Sequence, residues 1–226
     1  VEYDSLNISL QHIKEKINKK TKAIIPVHYG GQSCDMDKIL AISKKSQLKI
    51  IEDCAHALGS TFKQKKCGNI GDVGCFSFYP TKIITTGEGG MVVTNSQKMN
   101  KKIIQLRPHG MSYLPQDREK SAIWNYDIVD LGYNYRLDEI RAALGISQFQ
   151  RIKKINDLRI KIAKKYDSDL QKIKGIIIPK KMKNRNHIYH LYTVKITKDF
   201  PLSRNELFVE LNKKGIGSSV QYHHYI

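Results

Sequence analysis

The sequence predicts an α/β protein in which a mostly parallel sheet is flanked by helices, followed by part of a smaller α+β unit. Short apolar runs at residues 23–29, 48–52, 73–78 and 90–94 have the length of buried strands. Between and after these runs, apolar residues recur at steps of three and four, as they do in helices. Strands that alternate with helices indicate a mostly parallel sheet with helices on its faces.

Two helices of the sheet region are predicted by their capping residues. Asp35 and Ser96 each suit the N-cap position, and we expect the helices to end near Gln47 and Leu106. Residues 108–130 are polar and indicate a long loop. Long ordered loops in compact domains are usually functional or lie at an interface, so this one is a candidate for either role.

A long helical pattern over residues 137–172 suggests a connection between two domains. It is long for a single globular helix, so we expect a break or kink near Gly145. The predicted domains are a large one, residues 1–150, and a connecting helix with a small C-terminal domain, residues 151–226. The elements expected in the small domain are strands at 176–178 and 190–196, a helix from the capping box Ser203–Glu206 to about Lys214, and a strand starting at 220–222.

The composition excludes several classes of function. The formal net charge is +18, but the lysines are scattered along the chain and are not interleaved with aromatic residues in one segment. A nucleic-acid partner is therefore not expected, whereas a positive field would suit an acidic small substrate. No apolar run approaches the roughly 18 residues that a membrane span needs, so we expect no membrane insertion.

The cysteines and histidines predict neither a disulfide framework nor a metal site. The four cysteines lack CxxC spacing and are expected to be reduced thiols in a cytoplasmic protein. The pairs His187/His190 and His223/His224 do not offer a zinc constellation. We therefore expect no metal.

The chemistry is concentrated in Lys82 and Asp53. Asp53 ends an apolar strand, and Lys82 follows another strand and precedes the glycine-rich turn 87–90. Pyridoxal phosphate (PLP) requires a lysine for its covalent attachment and an acid that keeps its ring nitrogen protonated, and this order of residues supplies both. Glu52 is the lesser candidate for the acid because alternation along the strand directs it to the opposite face.

Five segments together resemble one enzyme family. The segments are PVHYGG (26–31), IIEDCAHALGS (51–60), GDVGCFSFYPTKIITTGEGGMVVTN (71–95), RPHGM (107–111) and LGYNYRLDEIRAALG (131–145). In this order they resemble the PLP-dependent nucleotide-sugar aminotransferases of the DegT/DnrJ/StrS family, which have the aspartate-aminotransferase (fold type I) architecture. The stretches FSFYPTKIITTGEGG and ALGISQ look most like UDP-4-keto-6-deoxy-sugar C4 aminotransferases of the pseudaminic-acid type.

The resemblance implies a role for each candidate residue. Lys82 matches the Schiff-base lysine and is the catalytic residue, and Asp53 matches the partner of the pyridinium nitrogen. The remaining cofactor ligands that it implies are His56 near the ring and its phenolic oxygen, Ser77 at the phosphate, and Asn134 reaching the phosphate of a neighbouring subunit. For His56, a core histidine bonded to the backbone is an equally open interpretation.

The substrate-binding candidates are His28, Tyr29, Arg136, Gln221 and Tyr222. His28 and Tyr29 follow a strand end beside two glycines, where open α/β sheets place ligands. Arg136 could bind a carboxylate or phosphate in a bidentate way, or could simply start a helix. Gln221 and Tyr222 match a family strand that contacts the nucleotide sugar.

The implied activity is transfer of an amino group from an amino acid, L-glutamate by resemblance, to a nucleotide-linked 4-keto-6-deoxy sugar in polysaccharide biosynthesis. A homodimer with shared sites is also implied. Relative to the family, the N-terminal portion and the end of the small domain are missing, so we expect a partial chain. Two alternatives remain: an inactive fragment or paralogue, and a sugar dehydratase relative, in which histidine would replace Lys82.

Overall fold

The computed structural model describes residues 1–112 and 126–220. Its strands are β1 (Ala23–Ile24), β2 (Lys49–Asp53), β3 (Thr61–Phe62), β4 (Lys65–Lys66), β5 (Val73–Ser77), β6 (Gly90–Val93), β7 (Ile176–Ile177), β8 (Arg185–Asn186) and β9 (Lys195–Ile196). Its helices are α1 (Leu10–Lys16), α2 (Met36–Ser46), α3 (Gln97–Leu106), α4 (Glu139–Phe149), α5 (Ile152–Leu170) and α6 (Arg204–Lys213).

The central sheet has the order β1-β2-β5-β6. Strand β2 pairs in parallel with both β1 and β5, and β6 adds antiparallel to β5. The register sets Asp53 opposite Cys75, so the carboxyl ends of β2 and β5 lie side by side. Open α/β sheets bind ligands at this edge. The predicted fold class, a mostly parallel sheet flanked by helices, is confirmed.

One core cluster packs α1 and α2 against the first two strands. It includes Met36 and Ile39 on α2 and Ile50 on β2, all fully or almost fully buried. The helix α2 begins as predicted because the Asp35 carboxylate accepts the N–H of Lys38. Gln47 ends it in the left-handed conformation. The cluster fixes β2, and thereby the acid at its carboxyl end.

A second core cluster anchors the segment that contains Lys82. Phe78, Ile83 and Ile84 are buried together with Ile188, and Ile152 of α5 packs against them. The burial of Phe78, four residues before Lys82, and of Ile83 and Ile84 directly after it holds the backbone of the loop at the sheet.

The C-terminal part of the chain returns to the N-terminal part. Strand β8 pairs with β3, which also pairs with β4, and β7 pairs with β9. The α6 helix begins at the predicted capping box, in which the Ser203 hydroxyl accepts the N–H of Glu206 and the Glu206 carboxylate accepts the N–H of Ser203. The division at residue 150 stays a prediction, although the helix pair α4 and α5 is interrupted there. Among the described residues, no helix has the length and hydropathy needed to cross a membrane.

Several predicted boundaries were wrong. The helix break lies at Gln150–Arg151, and Gly145 is inside α4, where a Cβ atom would lie 3.0 Å from the Thr86 side chain. Strand β1 is much shorter than residues 23–29, and residues 190–194 are not strand. Residues 221–222 of the last predicted strand lie outside the described part of the chain. Helix α1 and the hairpin β3–β4 were not predicted.

Candidate active site

The carboxyl end of β2 holds Asp53 in a fixed position. Its backbone N–H donates to the carbonyl of Pro26, and its carbonyl accepts the N–H of His28. The carboxylate accepts the N–H of Ala55 at 3.0 Å and is partly exposed. Asp53 therefore presents a carboxylate at the ligand-binding edge of the sheet.

Glu52, its neighbour, faces the interior instead. The side chain is 0% exposed, and its two oxygens accept hydrogen bonds from His28 Nε2 and from the backbone N–H groups of Gly68, Ile70 and Gly71. Burial alone would raise the pKa of Glu52, but the hydrogen bonds from His28, Gly71 and Gly68 outweigh it and hold the pKa below its usual range. The alternation along β2 thus directs Glu52 into the interior and Asp53 to the sheet edge, as the sequence predicted.

The loop that carries Lys82 is closed by hydrogen bonds. The Lys82 N–H donates to the carbonyl of Tyr79 at 2.9 Å, which makes a turn over residues 79–82. Farther along, the Thr86 N–H donates to the Phe78 carbonyl, and the Phe78 N–H donates to the Gly89 carbonyl. The side chain of Lys82 is half-buried. The Lys82 side chain therefore projects from a backbone that these hydrogen bonds hold in place at the end of β5.

His56 is affected by the charges of both the lysine and the acid. Burial lowers the pKa of His56, the positive charge of Lys82 lowers it further, and the negative charge of Asp53 opposes both effects. Lys82 and Asp53 thus both lie within electrostatic reach of one imidazole ring. Within the described ranges, His56 Nδ1 is buried and has no hydrogen-bond partner. The three predicted residues therefore lie in the same region of the structure, and their roles stay predictions.

Ser77 lies at the carboxyl end of β5, close to the same edge. It follows Cys75, the residue that pairs with Asp53, by two positions and is partly exposed. Its Oγ accepts the N–H of Tyr79 at 3.3 Å, a long contact that leaves the hydroxyl proton free for another acceptor. The predicted phosphate contact stays a prediction.

Asn134 and Arg136 are exposed and contact each other. The Arg136 Nε donates to the Asn134 side-chain oxygen at 3.0 Å, and the backbone of Asn134 bridges to that of Pro108. The rings of Tyr133 and Tyr135 stack beside them with centroids 4.8 Å apart. Both residues are available to a second subunit, and their predicted roles remain predictions.

The substrate-binding prediction for His28 does not fit the geometry. The side chain is 0% exposed, Nδ1 accepts the N–H of Cys34 at 3.1 Å, and Nε2 therefore carries the proton that is donated to Glu52. With both nitrogens engaged in the interior, His28 cannot contact a substrate.

Tyr29, next along the chain, does approach the site. Its ring meets that of His56 edge to face at 6.1 Å, and its hydroxyl contacts Thr193 Oγ1 at 3.2 Å. The last two substrate candidates, Gln221 and Tyr222, lie outside the described residues.

One buried group in the described chain collects donor atoms that could hold a metal ion. Atoms of His28, Glu52 and Cys54 lie within 4.8 Å of one another. Both Glu52 oxygens already accept two hydrogen bonds each, and the Cys54 thiol is buried, which raises its pKa to about 11. This group therefore has the chemistry of a structural hydrogen-bond network.

Similarity to known proteins decides the family. A model of the DegT/DnrJ/EryC1/StrS aminotransferase family matches residues 1–226. The chain belongs to this family. It is 38% identical over 225 residues to the spore coat polysaccharide biosynthesis protein SpsC of Bacillus subtilis, covering 98% of this chain and 58% of SpsC. It is 36% identical over 219 residues to the UDP-4-amino-4,6-dideoxy-N-acetyl-beta-L-altrosamine transaminase of Campylobacter jejuni, covering 96% of this chain and 56% of that protein.

Solved structures of sugar aminotransferases share the fold. PseC of Helicobacter pylori, an aminotransferase involved in the biosynthesis of pseudoaminic acid, superposes with a TM-score of 0.84 and 31% identity. The alignment covers 92% of this chain and 54% of PseC. The chain thus spans little more than half the length of the relatives that it matches. The aminotransferase architecture predicted from the sequence is confirmed.

His190 is the residue at the site that sequence reasoning missed. Its ring lies 4.4 Å from that of His56, measured between centroids. The HxxH spacing draws attention to metal binding, and the sequence gives no local signal that this ring meets a strand end so far away in the chain.

Proposed function

We propose that this protein is a PLP-dependent transaminase that transfers an amino group to a nucleotide-linked 4-keto-6-deoxy sugar. The observation that supports the proposal is that the charges of Lys82 and Asp53 both act on His56, at the edge of the sheet where β2 and β5 end. These residues come from two separate segments of the sequence.

The described residues fit the cofactor. His56 Nδ1, buried and unpartnered within the described chain, suits a polar atom of a bound ring, and the Asp53 carboxylate suits a protonated ring nitrogen. Lys82 would hold the cofactor covalently through Nζ, and the Ser77 hydroxyl would donate to its phosphate. When bound, PLP supplies the electron sink that stabilises a carbanion next to nitrogen.

The protein residues would orient the substrates and move protons. Lys82 Nζ would carry the proton in this proposal, because it is the amine that the anchored loop presents at the end of β5. Asp53 keeps its place through two backbone hydrogen bonds, so that its negative charge stays at the sheet edge. Tyr29, beside His56, is positioned to contact a substrate.

The substrate class is inferred from the relatives and from charge. One relative is named a transaminase of a UDP-linked 4-amino-4,6-dideoxy sugar, and another is named for spore coat polysaccharide biosynthesis. The net charge of +18 would attract a nucleotide sugar, which carries negative phosphates. L-Glutamate is the proposed amino donor, and polysaccharide biosynthesis is the proposed setting.

A homodimer with shared sites is part of the proposal. Large apolar residues lie exposed near Asn134 in sequence, among them Leu131 at 81% and Ile140 at 84% exposure. An apolar surface of this kind marks an interaction site, and a second copy would bring Asn134 and Arg136 toward its partner's cofactor. The four cysteines are free thiols, which supports a cytoplasmic location.

The test uses the whole protein purified with PLP. Borohydride reduction followed by peptide mass spectrometry should place the cofactor on Lys82. The loaded protein should convert a UDP-linked 4-keto-6-deoxy sugar to its amino sugar with L-glutamate. Lys82→Ala should abolish both the adduct and the activity, whereas Lys98→Ala, on the exposed face of α3, should change neither. A wild-type protein that binds no PLP would refute the proposal, and a dehydrated product would indicate the dehydratase alternative.

A further inference from the structure

The segment that carries His190 contains a strained backbone. Tyr189 adopts a φ of 51°, in the left-handed region that non-glycine residues rarely occupy. A bulky residue in this region costs roughly 1–3 kcal/mol, and such residues cluster at functional sites. This outlier directly precedes His190.

Local contacts compensate for the strain. The Tyr189 N–H donates to His187 Nδ1 at 3.1 Å, and the two rings stack at 3.9 Å. On either side, the Ile188 N–H donates to the Gly31 carbonyl and the Leu191 N–H donates to the Gly30 carbonyl. The backbone of residues 188–191 is thereby fixed along the turn of residues 29–31.

Gly31 makes this close approach possible. Its φ is 96°, and a Cβ atom there would lie 2.8 Å from Ile188 Cγ1, 3.0 Å from the His190 N atom and 3.1 Å from the His56 carbonyl oxygen. Only glycine allows His190 and His56 to lie on either side of this position. Arg159 of α5 adds long contacts, 3.4 Å each, to the carbonyls of Tyr189 and His190.

The result is a pair of imidazole rings at the site. Their centroids are 4.4 Å apart with a tilt of 33°, and the Nδ1 atom of each is buried without a hydrogen-bond partner in residues 1–112 and 126–220. Burial, the largest cause, and the nearby charges of His56, Lys82 and Arg159 together lower the pKa of His190 to about 3. His190 is thus a neutral aromatic ring at the pH at which enzymes work.

We propose that His190 is a positioning residue whose ring packs on His56 and fixes the orientation of His56 toward the group bound at Lys82. The segment 187–191 thereby becomes part of the cofactor site. This inference rests on the proposed function, since it concerns the same site. His190 acts through His56, and its contribution is that of a neutral ring.

The experiment compares His190→Ala, His190→Gln and His190→Phe in the whole protein, with His12→Ala on the exposed surface as the matched control. The measurements are the dissociation constant of PLP and the visible absorption of bound PLP across a pH series. An aromatic pair contributes about 0.5–1.5 kcal/mol, so loss of the ring should weaken PLP binding roughly 2- to 10-fold. The pH at which the absorption changes should also move in the Ala and Gln variants.

His190→Phe should restore both the affinity and the absorption profile, because it keeps the ring. Wild-type affinity and absorption in Ala and Gln would overturn the inference, and so would a Phe variant as impaired as Ala. If circular dichroism shows that His190→Ala is misfolded, His190→Gln replaces it in the comparison with His190→Phe. A wild-type protein without PLP refutes the proposed function itself, whereas normal PLP binding in every His190 variant refutes only this inference.

Discussion

Replacement of Glu52 by glutamine should lower the stability of the fold far more than such a small chemical change suggests. One glutamine atom can still accept hydrogen bonds, but the other becomes an NH2 group. In the wild-type protein, each Glu52 oxygen accepts two hydrogen bonds. One oxygen accepts from His28 Nε2 and the Gly68 N–H, and the other accepts from the Ile70 N–H and the Gly71 N–H. In either orientation of the amide, two donors therefore lose their acceptor and face another donor.

The magnitude follows from the burial of the group. A buried donor left without a partner costs about 1–3 kcal/mol, so two of them cost about 2–6 kcal/mol. Total stabilities are about 5–15 kcal/mol, which makes this a large fraction. Each kcal/mol lowers Tm by roughly 2–4 °C in a chain of this size, so Glu52→Gln should lower Tm by at least about 4 °C.

The assay is thermal and urea unfolding, with Glu88→Gln as the matched control. Glu88 is exposed, so its replacement should change the free energy of unfolding by no more than about 0.5 kcal/mol. If Glu52→Gln is as mild as the control, the four hydrogen bonds do not stabilise the fold and the reasoning fails.

The pH dependence of the stability difference between the wild type and Glu52→Gln gives an independent check. The folded-state pKa of Glu52 is lowered below its ordinary value of 4.5, so its stabilisation is present above that pH and is lost as the pH falls through the folded-state pKa. The wild-type protein should lose its advantage over Glu52→Gln progressively below pH 4.5. A difference that stays constant down to strongly acidic pH would contradict this linkage.

Three further changes should have effects that the structure specifies. Gly31→Ala should destabilise the fold by about 2 kcal/mol or more, because the new Cβ would collide with Ile188 and because residue 31 has a positive φ. Urea unfolding measures this loss, and an unchanged free energy of unfolding would contradict the close approach at residue 31. Ser203→Ala should cost about 1 kcal/mol by removing the N-cap contact to Glu206, and Ser203→Asp should restore most of that loss in the same assay. Ile140→Glu should shift the sedimentation coefficient of the proposed homodimer to that of a monomer, and an unchanged dimer would exclude this surface as the interface.

The central part of the site could be predicted because its signals are local. Asp53 follows an apolar strand, and Lys82 follows another strand and precedes a glycine-rich turn, so parallel pairing brings both to one edge. Period-two alternation also separated Glu52 from Asp53 correctly. These inferences need only strand direction and side-chain alternation.

The features that sequence reasoning missed depend on contacts between distant segments or on unusual backbone. The hairpin β3–β4 turns through Lys63 and Gln64 at φ values of 45° and 67°, where glycine or asparagine would normally give the signal. His28 was assigned to the substrate because it follows a strand, but tertiary packing turns it into the interior against Glu52. His190 gives no local signal because only the folded chain brings it to His56.

Two energetically unfavourable arrangements support the region around Asp53 and His56. Glu52 is a buried carboxylate, and Tyr189 is a strained residue; each is tolerated only because surrounding contacts compensate. Glu52 holds the loop of residues 68–71 against β2, directly beside Asp53, and the kink at Tyr189 directs His190 onto His56. Costly features that converge from two separate parts of the chain indicate that the geometry around Asp53 and His56 is specified closely. A site of this kind, in which the acid and the imidazole are fixed independently of each other, would bind a rigid planar ring without having to reorganise.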